Sequence, residues 1–137
     1  MSIAVLCIII AVLMPAVTNL LPKLSSVGSY DNNAPRLWLD KQTGWRQRAT
    51  WAHNNHNETL AGFVAAVILC LFAGVDRAWL DQWAMIYIAV RVVYTAIYIA
   101  NIGPLRTLVW VGGMAIVVWM MIKAGTALAM VAPAVAG

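Results

Sequence analysis

Charge is scarce in this sequence. Nine Lys and Arg and five Asp and Glu make up 10% of its 137 residues, where an ordinary soluble domain carries about 25%. That shortage, with 63% hydrophobic residues, excludes a soluble globular domain. It leaves a single-domain integral membrane protein over residues 1–137. Cysteine is nearly absent: Cys7 and Cys70 both fall inside apolar runs. They read as buried free thiols and exclude a disulfide framework or a cysteine metal motif. Acidic residues are rarer than basic ones, for a net charge of +4. The basic residues do not gather on a soluble face, so the excess suits anionic lipid headgroups, and no nucleic-acid partner is expected. The N-terminus lacks a basic n-region, since the first cation is Lys23, and it shows no small-x-small cleavage site. It is expected to be a retained span rather than a signal peptide.

What is present is four apolar segments. Spans are expected at about 3–21, 46–75, 80–101 and 105–123, each long enough to cross a bilayer as a helix. Pro15 is expected to bend the first, which membrane helices tolerate. The fold class is therefore all-α integral membrane, a four-helix transmembrane bundle. The connection 22–45 is polar and unusually long for a compact domain, which hints at a role. Its run Tyr30-Asp-Asn-Asn-Ala-Pro-Arg36 has turn chemistry. Lys23, Arg36, Lys41, Arg46, Arg48 and Arg106 lie on the side of this connection, against Arg77 and Lys123 on the other. The positive-inside rule then puts the connection in the cytoplasm and both termini on the non-cytoplasmic side.

The second span starts polar. Arg48, Trp51, Asn55 and Glu58 follow helical spacing and share one face. At ~1.5 Å per residue, Glu58 lies about 15 Å beyond Arg48, roughly half of a ~30 Å hydrocarbon core. A carboxylate there costs about 2.5–3.5 kcal/mol, so a partner is required. Arg91 on the third span lies at matching depth, about 16 Å from its cytoplasmic end, and shares a face with Tyr94 and Tyr98. A direct Glu58–Arg91 ion pair is the expectation. Toward the cytoplasm, Arg48, Asn55, Tyr94, Tyr98 and Arg106 form a ladder of donors. It suits a small anionic ligand with carboxylates and amides, because guanidinium binds carboxylate in a planar, bidentate way. Arg106, near a helix N-terminus, adds positive potential for an anion or a developing thiolate.

Each piece alone has a plainer reading. Arg46 and Arg48 fit simple topology, and two tyrosines fit interhelical hydrogen bonding. His53 and His56 stand three apart with no suitable third ligand, so no metal site is expected. The combination across helices two, three and four favours a binding site.

That combination resembles the MAPEG family, membrane-associated proteins in eicosanoid and glutathione metabolism, and most of all its small bacterial members. The resemblance covers nearly the whole chain. It rests on Tyr30–Arg36, Arg48, Ala52-His-Asn-Asn55, Glu58-Thr59, Arg91-Val-Val-Tyr94, Tyr98 and Leu105-Arg-Thr107. It implies a homotrimer in a bacterial inner membrane, with glutathione held as co-substrate between neighbouring protomers near the cytoplasmic side. By resemblance, Arg48, Asn55, Glu58, Arg91, Tyr94 and Tyr98 would form the glutathione site, and Arg106 would stabilise the thiolate as the catalytic cation. The implied activity is a glutathione-dependent transferase or peroxidase on lipophilic electrophiles or hydroperoxides reached through membrane lipid. In two places the pattern differs: Asn54 stands where the eicosanoid enzymes carry an arginine, and Tyr94 where one subgroup has histidine. The alternative is a non-enzymatic lipid-binding scaffold or accessory subunit of a membrane complex.

Overall fold

The computed structural model describes residues 2–135, with side chains through Met130. Met1 and residues 136–137, whose side of the membrane the charge pattern addresses, lie outside the described residues. The elements in order are α1 (Ile3–Leu24), α2 (Pro35–Asp40), α3 (Gly44–Phe72), α4 (Arg77–Ile99) and α5 (Gly103–Val135). All but α2 are long and apolar enough to cross a membrane.

The helix ends follow from local chemistry. α1 runs past Pro22, three residues beyond the expected stop, and ends where Ser25 Oγ donates to Pro22 O at 2.8 Å. α3 stops at Phe72, earlier than expected, because Gly74 takes the left-handed conformation (φ 66°) that closes helices. α4 begins at Arg77, earlier than expected, because Asp76 caps it by accepting from Trp79 N at 2.9 Å. It ends at Ile99, with Asn101 left-handed at φ 65°. α5 continues to Val135 instead of stopping near 123, through a tail whose commonest residue is alanine, the best helix former. α2, inside the long connection, was not expected; Pro35 opens it at the position where proline is pre-organised.

Each span buries a narrow line of residues. On α3 it is Ala49, Ala52, His56, Thr59, Phe63, Ala66 and Cys70, with Val67 buried beside it; on α4 it is Leu80, Ala84, Tyr87, Arg91 and Tyr94. Spacings of three and four alternate, the 3.5-residue repeat of knobs-into-holes packing. On α1 the buried line is Ala4, Cys7, Ala11, Pro15, Thr18 and Pro22, small side chains that let backbones approach. α4 packs against each of the other three spans.

α3 and α4 run antiparallel, so their buried lines meet level by level. Phe63 stacks on Tyr87 with centroids 4.1 Å apart and planes 11° apart. Toward the Phe72 end, Cys70 Sγ donates to Met120 O at 3.2 Å. There too, Asp81 Oδ1 accepts from Ala4 N at 2.7 Å and Ser2 Oγ at 3.1 Å. A carboxylate of α4 thereby satisfies the start of α1, where helix N–H groups lack partners. Toward the long connection, His56 meets Arg91.

Candidate functional site

α3, at 29 residues, is about 43 Å long and exceeds the ~30 Å hydrocarbon core. Its polar first turns therefore emerge on the side of the long connection. There, Arg46 Nε donates to Ser25 Oγ at 2.9 Å and its Nη2 to Ser25 O at 3.1 Å, tying α3 to the end of α1. Glu58 on α3 and Arg91 on α4 each lie fourteen residues from the opposite end of their helices, about 21 Å along the axis. Their depths match.

They are not directly paired. Arg91 is 3% exposed, and both its Nε (3.2 Å) and Nη2 (2.8 Å) donate to His56 Nδ1. Nη2 also donates to Asn55 Oδ1 at 3.0 Å, and Asn55 Nδ2 donates to Glu58 Oε2 at 3.1 Å. Asn55 thus stands between the charges, and Glu58 is exposed on the chain's surface. The expected ion pair is corrected to a relay. The cause is rotational: the Arg48, Trp51, Asn55, Glu58 face sits one residue around α3 from the buried line, and His56 occupies that line.

The relay fixes hydrogen positions. With Nδ1 accepting from Arg91, His56 carries its proton on Nε2 and donates to Thr95 Oγ1 at 2.8 Å. Thr95 Oγ1 in turn donates to Arg91 O at 2.9 Å, closing a ring. His53 takes the other tautomer: Nδ1 donates to Pro15 O at 2.8 Å and Nε2 accepts from Asn57 Nδ2 at 3.3 Å. The two histidines are held by different elements, His53 against α1 and His56 against α4.

Beside the relay lies a cavity of about 220 Å³ lined by Asn55, Tyr94, Tyr98, Arg106, Thr107 and Trp110. Three spans contribute to it, including four of the residues singled out from sequence. Arg106, Tyr98 and Tyr94 follow one another along its wall, and Arg91 lies behind them. The Arg106 guanidinium lies 4.6 Å from the Tyr98 centroid, Tyr98 meets Tyr94 edge-on at 5.5 Å, and Arg91 lies 4.6 Å from the Tyr94 centroid. Such contacts hold a cation in place without consuming its hydrogen-bond donors. Arg106 sits in the first turn of α5, its N–H bonded to Ile102 O at 2.9 Å.

The remaining candidates lie around this cavity. Arg91 stands behind Asn55, and Glu58 beyond it. Arg48 does not line it; its Nε donates to Ile99 O at 2.9 Å, closing the end of α4. Thr107 and Trp110 were missed as lining, although their spacing from Arg106 puts them on adjoining faces of α5. His56 and Thr95 were missed as the holders of Arg91; the three-four spacing from Ala49 through Phe63 was the signal for His56.

Compared with known proteins, residues 1–126 match the family model described as MAPEG family. No curated protein and no solved structure matches the chain.

Proposed function

Because the chain belongs to the MAPEG family, we propose that it is a glutathione-dependent transferase or peroxidase acting on lipophilic electrophiles or hydroperoxides in the membrane. The observation that carries this reading is the cavity where Arg106, Tyr94, Tyr98 and Asn55 converge from three spans. Its polar wall and fixed cation suit a small peptide bearing carboxylates and a thiol.

Glutathione supplies a sulfur nucleophile, which forms a bond to carbon as a leaving group departs, or takes the terminal oxygen of a hydroperoxide as the alcohol leaves, a second glutathione then displacing water from that sulfur to form the disulfide. The chain supplies the setting. Arg106 stabilises negative charge on sulfur, its position held by Tyr98. Asn55 offers a carboxamide whose orientation is set on one side by Arg91 and on the other by Glu58. Exposed Leu105 and Leu108 flank Arg106 and Thr107 on α5, offering an approach from lipid.

Two features support a homotrimer, or at least a neighbouring chain. Ligand pockets usually occupy about 300–1,000 Å³, and this cavity reaches only about 220 Å³, the size of a half-site. Glu58 and Asn54 are exposed on a span, and a carboxylate facing lipid costs about 2.5–3.5 kcal/mol. The basic side, with the long connection and the cavity mouth, is assigned to the cytoplasm of a bacterial inner membrane.

The test uses purified protein with glutathione and either an aryl halide or a lipid hydroperoxide. Turnover is expected, along with a glutathione-induced thermal shift. Arg106→Ala is expected to lower kcat by about 10²–10³-fold, the usual effect of deleting one charge-stabilising donor, without loss of folded yield. Absence of both turnover and thermal shift in the wild-type protein overturns the reading.

A further inference from the structure

The polar cavity has two levels. α4 runs toward the long connection and ends at Ile99. Tyr98 therefore lies at its outer end, and Tyr94 one turn, about 6 Å, closer to the bilayer centre. α5 runs the other way, so Arg106 is outermost there and Trp110 one turn deeper. The Arg106 guanidinium lies 4.6 Å from the Tyr98 centroid, and these two form the outer level. Tyr94 and Trp110 form the inner one.

The inner level holds an unused proton donor. Tyr94 lines the cavity, although only 3% of it is exposed. A phenol buried that far usually finds a partner for its hydroxyl. Among the described residues this hydroxyl has none, because the polar groups around it bond elsewhere. Arg91 donates to His56 and Asn55, His56 to Thr95, and Thr95 to the Arg91 carbonyl. Nor is the hydroxyl walled in: among the described residues, the fully enclosed side-chain oxygen without a partner is Asn19 Oδ1, on α1. The Tyr94 ring is fixed meanwhile, by Arg91 at 4.6 Å from its centroid and by Tyr98 edge-on at 5.5 Å.

One of the two proposed reactions needs a proton at this level. A thiolate attacks a hydroperoxide along the O–O axis, so the departing oxygen lies beyond the terminal one as seen from sulfur. With sulfur at Arg106 and the reactant's carbon chain still in hydrocarbon, that oxygen falls on the inner level. An alkoxide leaves readily only if it is protonated as it departs. Chloride leaving an aryl ring needs no proton. A phenol is protonated at neutral pH and can supply one.

We propose that Tyr94 is the general acid of hydroperoxide reduction, its hydroxyl giving a proton to the oxygen that leaves as the thiolate at Arg106 takes the terminal one. This rests on the glutathione reading above. Sulfur forms a bond to the terminal oxygen, and the electron pair of the O–O bond goes to the departing oxygen. That oxygen takes the Tyr94 proton, which leaves a sulfenic acid, an alcohol and a tyrosinate. Arg91 beside the ring stabilises the tyrosinate. A second glutathione thiol returns the proton, and its sulfur then displaces hydroxide from the sulfenic acid to give the disulfide. The proton lost when the first thiol ionised turns that hydroxide into water. In sum, one hydroperoxide and two thiols give an alcohol, a disulfide and water.

The full chain is assayed at saturating glutathione with cumene hydroperoxide and, in parallel, with dinitrochlorobenzene. Tyr94→Phe keeps the ring and its contacts. It is expected to lower the ratio of the two kcat values, hydroperoxide over aryl chloride, about 10²-fold, the lower end of what a general acid contributes. Tyr98→Phe removes the hydroxyl of the outer level and is expected to change both rates by the same factor. Both rates come from one preparation, so their ratio does not depend on folded yield. An unchanged ratio in Tyr94→Phe, whether both rates hold or both fall, overturns the proposal. So does a selective loss of hydroperoxide reduction in Tyr98→Phe instead. Wild-type protein that conjugates the aryl chloride but leaves the hydroperoxide intact overturns this proposal alone. Wild-type protein inactive on both overturns the glutathione reading with it.

Discussion

A guanidinium buried between helices needs an acceptor for the donors it keeps there, and at Arg91 a histidine supplies most of them. His56→Leu is expected to leave two donors unanswered beside a buried charge and to cost about 3 kcal/mol. His56→Gln, which keeps an acceptor oxygen, should cost clearly less, and Thr95→Val about 1 kcal/mol. Denaturant unfolding in detergent micelles ranks the three; equal losses for Leu and Gln would show that the hydrogen bonds to Arg91 contribute little. The sequence reading found the charged residues and their depth but chose the wrong partner. Both possible lines on α3 contain polar residues, and the buried one is marked toward the polar end only by the small side chains Ala49 and Ala52. Those carry too little hydrophobic signal to reveal a rotation of one residue. Asn55, Tyr94 and Tyr98 were legible because each shares a helix face with other polar residues, and Arg106 because it opens the fourth span at a helix N-terminus. Thr107 and Trp110 were not, since an interfacial tryptophan has a sufficient explanation in the lipid boundary.

Between elements, the most informative contact is Asp81 on the start of α1. It joins the first span to the third across most of the sequence, and no local pattern announces it. Asp81→Ala is expected to cost about 0.5–2 kcal/mol, as for the loss of a helix N-cap, and to raise hydrogen exchange at Ala4 while leaving the Phe63–Tyr87 level protected. Unchanged exchange at Ala4 would mean that the carboxylate does not hold this end. Phe63→Ala, by contrast, removes a fully buried ring from the α3–α4 seam and should cost about 3–5 kcal/mol, read as a lowered unfolding midpoint. The spans themselves were legible from apolar length. Their ends shifted by a few residues because Ser25, Gly74 and Asp76 act as terminators or caps whose reach depends on backbone geometry. The helix Pro35–Asp40 was hidden, since six residues in a polar stretch carry no resolvable period.

For the whole molecule, the exposed polar surface of α3 predicts neighbours. Asn54→Cys chains are expected to crosslink to one another with a short bismaleimide in membranes, because both native cysteines are buried. Monomers that resist crosslinking and scatter light as single chains in mild detergent would exclude a shared site. The amount of charge, its asymmetry and the four apolar runs made the membrane setting legible. A homotrimer was implied by the family resemblance alone, because an interface between chains is specified by what lies opposite it.

The overhang of α3 past the hydrocarbon has a kinetic consequence for the proposed reaction. The Arg106 cavity opens near that end, so a water-soluble thiol reaches it from the bulk in three dimensions, while an oily reactant arrives by lateral diffusion in two. Velocity should therefore track the mole fraction of that reactant in the lipid. Adding empty vesicles at constant total amounts would slow turnover by surface dilution, even though no binding constant has changed.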